Sequence, residues 1–255
     1  MDQILTEKRD GILRIEFNRP DKKNAITLAM YRAMTDALTE AGKDAAVRVV
    51  LFHGKPDAFT SGNDLQDFLA KPPGGKNAPG FRFLRAISSF PKPIVAAVSG
   101  LAVGIGTTML LHCDLVYAAP GTRFSLPFVN LALCPEGGSS FLLPRLAGYQ
   151  RAAELLFFGE PFTAETAREI GLVNAIVPAK ELLDAALAAA ARLAQKPAAS
   201  MRATKALMKE SYASNTDYAL ASEGRAFTDR LSSPEAKEAF SAFLEKRKPD
   251  FGKFS

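Results

Sequence analysis

The chain has 255 residues, 47% of them hydrophobic and 23% charged, with a formal net charge of +5. That is enough to bury a full core in one domain, or in one domain plus an appendage. The charge excess favours anionic partners but is too small and too dispersed for nucleic acid, and no zinc-finger, RNA-recognition or basic-zipper pattern is present.

Ile12–Phe17 alternates in polarity and reads as a strand, closed by the turn Asn18-Arg19-Pro20-Asp21. Thr27 is an N-cap for a helix over 28–41, with Leu28, Tyr31, Met34 and Leu38 at core spacing. Residues 47–52 form a nearly continuous β-branched run and predict a buried strand. The stretch Ser61-Gly62-Asn63-Asp64-Leu65 follows it, and then a loop over 71–80 rich in Gly, Pro and Lys that is expected to be mobile, read equally as a cover over a site or as a plain solvated loop. Ile94–Val98 is a second buried strand, and Gly104-Ile105-Gly106 leads into a predicted helix over 107–112. Two short strands follow over Leu115–Ala118 and 123–126. Strands that alternate with helices in this order predict right-handed βα crossovers, or a spiral of repeated ββα turns. After about Ala147 helical patterns dominate, over 150–158, 164–170, 181–194, Ala198–Glu210, 217–227 and 234–246, punctuated by Pro161, Pro178 and Pro197. A helical end of this size is expected to pack on the core, on a neighbouring subunit, or on both.

Glycine in the two loops lets the backbone come close to a ligand, because no Cβ intervenes. An amide N–H from each loop, aimed at one point, makes an oxyanion hole. The stretch from Ser125-Leu126-Pro127 to Pro135-Glu136-Gly137-Gly138 adds a carboxylate, a combination suited to making and holding an enolate. Other chemistries find less support. Gly104-Ile105-Gly106 lacks the third glycine of a dinucleotide fingerprint, Met109 standing there, and Gly74-Gly75-Lys76 lacks the flanking residues of a phosphate loop. Cys113 and Cys134 read as reduced thiols in apolar segments, and His53 and His112 read as structural. The beginning Met1-Asp2-Gln3 carries no secretory pattern, no apolar run is long enough for a bilayer, and Gly252-Lys253-Phe254-Ser255 is not a peroxisomal address. A soluble, cytoplasmic protein is expected.

The order Asn18-Arg19-Pro20 to Asn24-Ala25, Ser61-Gly62-Asn63-Asp64-Leu65, Ser99-Gly100 to Val103-Gly104-Ile105-Gly106 and Cys113-Asp114-Leu115 resembles the crotonase superfamily, the enoyl-CoA hydratase/isomerase family. Gly171-Leu172-Val173-Asn174 and the run from Phe243 to Pro249 extend the likeness over essentially the whole chain. The resemblance implies an α/β crotonase (ClpP-like) spiral of repeated ββα units over 1–195. It implies a C-terminal helical trimerisation region over 196–255, homotrimers or dimers of trimers, and an acyl-CoA substrate with no cofactor beyond the coenzyme A it carries. The Asn63 and Ile105 N–H groups match the family's oxyanion hole. Substrate-binding positions carried over with them are Lys22, Ala58, Thr60, Ser61, Gly62, Asp64, Leu65, Gly104, Gly106, Thr108, Phe128, Phe243 and Lys246, with Phe243 from a neighbouring subunit.

Where the hydratases carry their two glutamates this chain has Thr108 and Phe128. Syn hydration needs groups that position and deprotonate water, so losing both argues against it. The string Cys134-Pro135-Glu136-Gly137-Gly138-Ser139-Ser140 instead resembles the Δ3,Δ2-enoyl-CoA isomerases, which carry a single base in a Pro-Glu-Gly segment. Glu136 is then expected to shuttle the proton, dehydrated by Phe128, Leu131 and Leu133, and Asn130 is a candidate to hold it. Read alone, a glutamate after proline is a first-turn helix residue. Asp64 is expected to brace its own loop. The alternatives are a hydratase or other crotonase reaction with atypical acid/base residues, and a CoA-binding module without catalysis.

Overall fold

Runs of Val, Ile, Leu and Phe too short for a helix and apolar on both faces make interior parallel strands, and they fix the frame of the molecule. The computed structural model describes residues 2–55, 57–70 and 77–254. In chain order the elements are β1 (Ile4–Arg9), β2 (Ile12–Phe17), α1 (Leu28–Lys43), β3 (Val49–His53), α2 (Leu65–Ala70), α3 (Pro79–Ser88), β4 (Ile94–Val98), β5 (Leu101–Val103) and α4 (Ile105–Thr108). Then come β6 (Leu115–Ala118), β7 (Arg123–Ser125), α5 (Ser139–Ala147), α6 (Tyr149–Phe158), β8 (Phe162–Thr163), α7 (Ala164–Glu169), β9 (Ala175–Ile176), α8 (Leu182–Ala194), α9 (Ala198–Glu210), α10 (Ala213–Leu231) and α11 (Pro234–Leu244).

Among the described residues the strands make two sheets, ordered β1-β2-β3-β4-β6-β9 and β5-β7-β8. The first is parallel except at its edge, where β1 runs antiparallel to β2. Successive strand pairs β4–β5 and β6–β7 send one strand to each sheet, the ββα spiral expected from the sequence. Every residue of β3 and β4 is buried, whereas β1 exposes Glu7, Lys8 and Arg9, charges that blunt a sheet edge against further pairing. The main core fills the face under α1 and α3, with Phe17 edge-on to Phe59 at 5.0 Å between ring centroids. The other face, through Val49, Leu51, Val95 and Ala97, is closed by α8, whose buried Ala186 and Ala190 let helix and sheet approach closely.

Several boundaries depart from the sequence reading. The helix expected over 107–112 begins at Ile105 and tightens into a 3-10 turn at Met109. The helix expected over 217–227 runs from Ala213 to Leu231. The expected cover loop over 71–80 falls mostly at residues 71–76, outside the described residues, as does the rejected Gly74-Gly75-Lys76 match; its end is the start of α3.

Candidate active site

Two glycine loops meet because the segment before the first pairs with the strand that feeds the second. Phe59 donates to the Ser99 carbonyl, Thr60 to that of Leu101, and Val103 returns a bond to the Thr60 carbonyl. Gly62 has φ +90°, and a Cβ on it would lie 2.9 Å from the Val103 carbonyl oxygen. Gly104 has φ +55° and ψ −117°, a conformation open only to glycine. Gly106 lies so near Thr60 that a Cβ there would come within 2.5 Å of the threonine Cγ2.

Asn24, fully buried, ties the first turn of the chain to this assembly. Its Oδ1 accepts the Arg19 N–H at 2.8 Å and its Nδ2 donates to the Ala58 carbonyl at 2.8 Å. The Thr60 hydroxyl donates to the Asn24 carbonyl at 2.7 Å and accepts the Gly62 N–H at 3.1 Å. Ile26 bonds to the Gly62 carbonyl and accepts from Asp64, a parallel bridge around Asn63 that turns the Asn63 N–H outward. Ile105, first residue of α4, has no intrahelical acceptor for its N–H. Among the described residues neither N–H donates to a protein group. Asp64 braces its loop as expected, accepting the Gln66 and Asp67 N–H groups, and pairs with Arg19 at 2.5 Å.

Glu136 is not in a helical first turn, because α5 starts three residues later at Ser139. It sits in a loop whose Gly137 and Gly138 have φ +72° and +74°. The side chain is 6% exposed, and Oε1 accepts the Thr108 hydroxyl proton at 2.5 Å. Its small pocket, of about 40 Å³, is lined by Leu28, Tyr31, Asn63, Phe81, Leu84 and Phe227. The dehydrating walls thus come from α1, α3 and α10, not from Phe128, Leu131 and Leu133 as the sequence suggested. Asn130 does not hold Glu136 either; its Nδ2 donates to the Phe158 and Gly159 carbonyls.

Burial raises the Glu136 carboxyl from 4.5 to about 8; the Thr108 hydrogen bond opposes this and the nearby Glu223 charge adds to it. Tyr31 was missed as a site residue. Its buried hydroxyl donates to Asn63 Oδ1 at 2.6 Å, and burial together with the Glu136 charge holds its proton firmly. A larger cleft of about 600 Å³ between α3 and α10 shares Phe81 and Leu84 with the Glu136 pocket.

The other candidates fall into separate groups. Ala58, Thr60, Ser61, Gly62, Leu65, Gly104 and Gly106 lie in or beside the two loops, and Phe128 is buried with its ring 3.9 Å from a Cβ built on Gly104. Lys22 is exposed beside Ser61, whose N–H bonds to the Lys23 carbonyl. Phe243 and Lys246 are exposed at the end of α11 and do not line the Glu136 pocket. His53 lies against Arg14, and His112 Nε2 meets the Gly137 carbonyl at 2.7 Å. Burial lowers His112 to about 4 and raises the free thiol of Cys113 to about 12, so neither is a working acid, base or nucleophile.

The raised Glu136 pKa has a consequence for stability. The native carboxyl keeps its proton up to about pH 8, whereas an unfolded one releases it near 4.5. The native state therefore binds more protons across that window, and the contribution to stability is lost as pH rises through it. Glu136→Gln cannot titrate, so its stability relative to the wild type is expected to increase from pH 4.5 to 8 by on the order of 4 kcal/mol. Paired denaturant titrations at several pH values measure this difference, and a gap independent of pH would contradict the dehydrated environment.

Comparison with known proteins agrees with the architecture. The model of the Enoyl-CoA hydratase/isomerase family matches residues 7–253. The solved structure of OdaA from Pseudomonas aeruginosa is 48% identical, with a TM-score of 0.93, covering 96% of this chain and 99% of that one. Enoyl-CoA delta isomerase 2 of Homo sapiens is 35% identical over 96% of this chain and 64% of its own length, so the chain spans less than two thirds of that relative. Crotonyl-CoA hydratase of Syntrophomonas wolfei is 34% identical over 98% of both chains. The two-sheet spiral with its C-terminal helices is the crotonase fold. Relatives named for isomerisation and for hydration match about equally, so identity does not select the reaction.

Proposed function

The chain belongs to the enoyl-CoA hydratase/isomerase family, and we propose that it shifts the double bond of a 3-enoyl-CoA to give the 2-trans-enoyl-CoA. Glu136 takes a proton from C2 of the acyl chain. The C2–H electron pair becomes a double bond between C1 and C2 as the carbonyl π pair moves onto the thioester oxygen, giving a dienolate conjugated with the C3–C4 double bond. The Asn63 and Ile105 N–H groups hold that oxygen, each worth on the order of 3 kcal/mol. The same carboxyl then returns the proton at C4, leaving the double bond between C2 and C3. Atoms balance with no water, oxidant or cofactor consumed.

One observation carries this reading: a single carboxylate with raised proton affinity, buried beside a small pocket whose other described walls are apolar apart from Tyr31 and Asn63. A hydratase must also hold and activate water, and Thr108 and Phe128 supply no carboxylate for it. Thr108 serves Glu136 instead, and its hydroxyl keeps one carboxyl oxygen turned aside so that the other meets the substrate. The α3–α10 cleft offers the acyl tail an adjoining path, and Ser61 with Lys22 offers the coenzyme a polar one. Exposed Leu207 and Met208 on α9 and Tyr218 on α10 support a homotrimer or dimer of trimers, in which Phe243 and Lys246 would reach a neighbour's site.

Purified protein offered 3-enoyl-CoA and crotonyl-CoA tests the reaction. Conversion of the first to a conjugated thioester, with hydration of the second slower by about 10²-fold or more, is the expected result. Rapid hydration of crotonyl-CoA would overturn the assignment.

A further inference from the structure

Glu223, on α10, is a buried carboxylate far from Glu136 in sequence, yet it is bonded to the same short loop. It is 6% exposed, and its two oxygens accept the Gly138 N–H at 2.5 Å and the Ser140 N–H at 2.8 Å. These donors belong to the start of α5, which has no side-chain cap of its own. The remaining early N–H, that of Ser139, turns back to the Glu136 carbonyl, which also accepts the Ser139 hydroxyl at 2.6 Å. The Glu136 backbone is therefore anchored to the first turn of α5, and that turn is anchored to α10. Phe227, one helical turn beyond Glu223, lines the Glu136 pocket, so α10 delivers the clamp and part of the wall together.

We propose that Glu223 is the positioning residue for Glu136, fixing through Gly138 and Ser140 the loop that aims it and setting a second negative charge behind it. The inference rests on reading Glu136 as the proton shuttle. Burial raises the Glu223 carboxyl above its ordinary value, and the hydrogen bonds from Ser140 and the Gly138 N–H at the helix N-terminus oppose that shift by holding the ionised form. The other titratable groups around the loop, Tyr31 from α1, Cys134 beside Pro135 and His112 behind Gly137, all remain neutral near pH 7, Cys134 being raised to about 11. Arg230, further along α10, bears on Cys134. Glu223 is then the charge that makes Glu136 hold its proton to higher pH, beyond what burial alone does.

The test is the pH profile of kcat/KM for the wild type, Glu223→Gln and Glu223→Asp, with melting temperatures measured alongside. Glu223→Gln removes the charge, so the acidic limb is expected to move down by about one pH unit, with kcat about tenfold lower as the clamp loosens. Glu223→Asp keeps the charge but shortens the reach, so kcat falls while the limb stays in place. A Glu223→Gln limb identical to wild type overturns the proposal, whether or not the melting temperature drops. Should Glu223→Gln not fold, Glu223→Asp decides alone: full kcat at an unchanged melting temperature refutes the clamp. Failure of the Glu136 reading looks different, since turnover and the wild-type acidic limb would then survive Glu136→Gln.

Discussion

Replacing Glu136 by glutamine is expected to lower kcat for a 3-enoyl-CoA by about 10³–10⁴-fold while leaving KM within a few-fold. The change is nearly isosteric. The amide oxygen still accepts the Thr108 hydroxyl, and the loop remains anchored through Gly138, Ser139 and Ser140. What disappears is the ability to take a proton from C2 and to return one at C4. Among the described residues no group lining the pocket substitutes for it. Tyr31 is held protonated by burial, His112 turns its Nε2 to the Gly137 carbonyl, and Thr108 is too weak a base. The assay is formation of the conjugated thioester, paired with uptake of solvent deuterium at the α-carbon. Activity within about tenfold of wild type, or exchange that persists, would move the proton transfer to another group.

Much of this architecture was legible where one physical cause dominated. Val49–His53 and Ile94–Val98 are apolar on both faces because each is buried on both, and no helical period competes with that pattern. The edge strand Ile4–Arg9 was invisible for the opposite reason: its charges face water and leave no alternation to read. Leu101–Val103 is too short to stand out between glycines, and α3 begins with Pro79-Gly80, which reads locally as loop. Pro144 lies inside α5 and hid that helix as well. At the site, the glycines of the two loops announce a close backbone approach. Glu136 was distinguished from an ordinary capping residue only through its likeness to a family. Tyr31 looked like one more core-facing position of an amphipathic helix, since nothing local predicts that its hydroxyl meets Asn63. Glu223 acts on Gly138 from 85 residues away, on a helix where the sequence singles out no site residue. Partners brought together by tertiary packing leave no short-range pattern.

Gly106→Ala is expected to cost about 10²–10³-fold in kcat for one added methyl group. The new Cβ would stand 2.5 Å from Thr60 Cγ2 and 3.2 Å from the Thr60 carbonyl oxygen. Thr60 cannot rotate away cheaply, because its hydroxyl simultaneously donates to the Asn24 carbonyl and accepts the Gly62 N–H. The strain therefore relaxes by separating the Ile105–Gly106 turn from the Ser61–Asn63 loop, and that separation pulls apart the two donors proposed to share the thioester oxygen. Stability should fall by only about 1–3 kcal/mol, the usual cost of overpacking, so the protein folds and the kinetic loss is measurable. Gly42→Ala is the matched control. It lies in α1, and its Cβ would meet only Phe90, at 3.8 Å; it should raise stability by about 0.5–1 kcal/mol at unchanged kcat. If Gly106→Ala instead kept wild-type kcat, the Ile105 N–H could not be gripping the oxygen, since no arrangement of two fixed donors tolerates such a displacement of one of them.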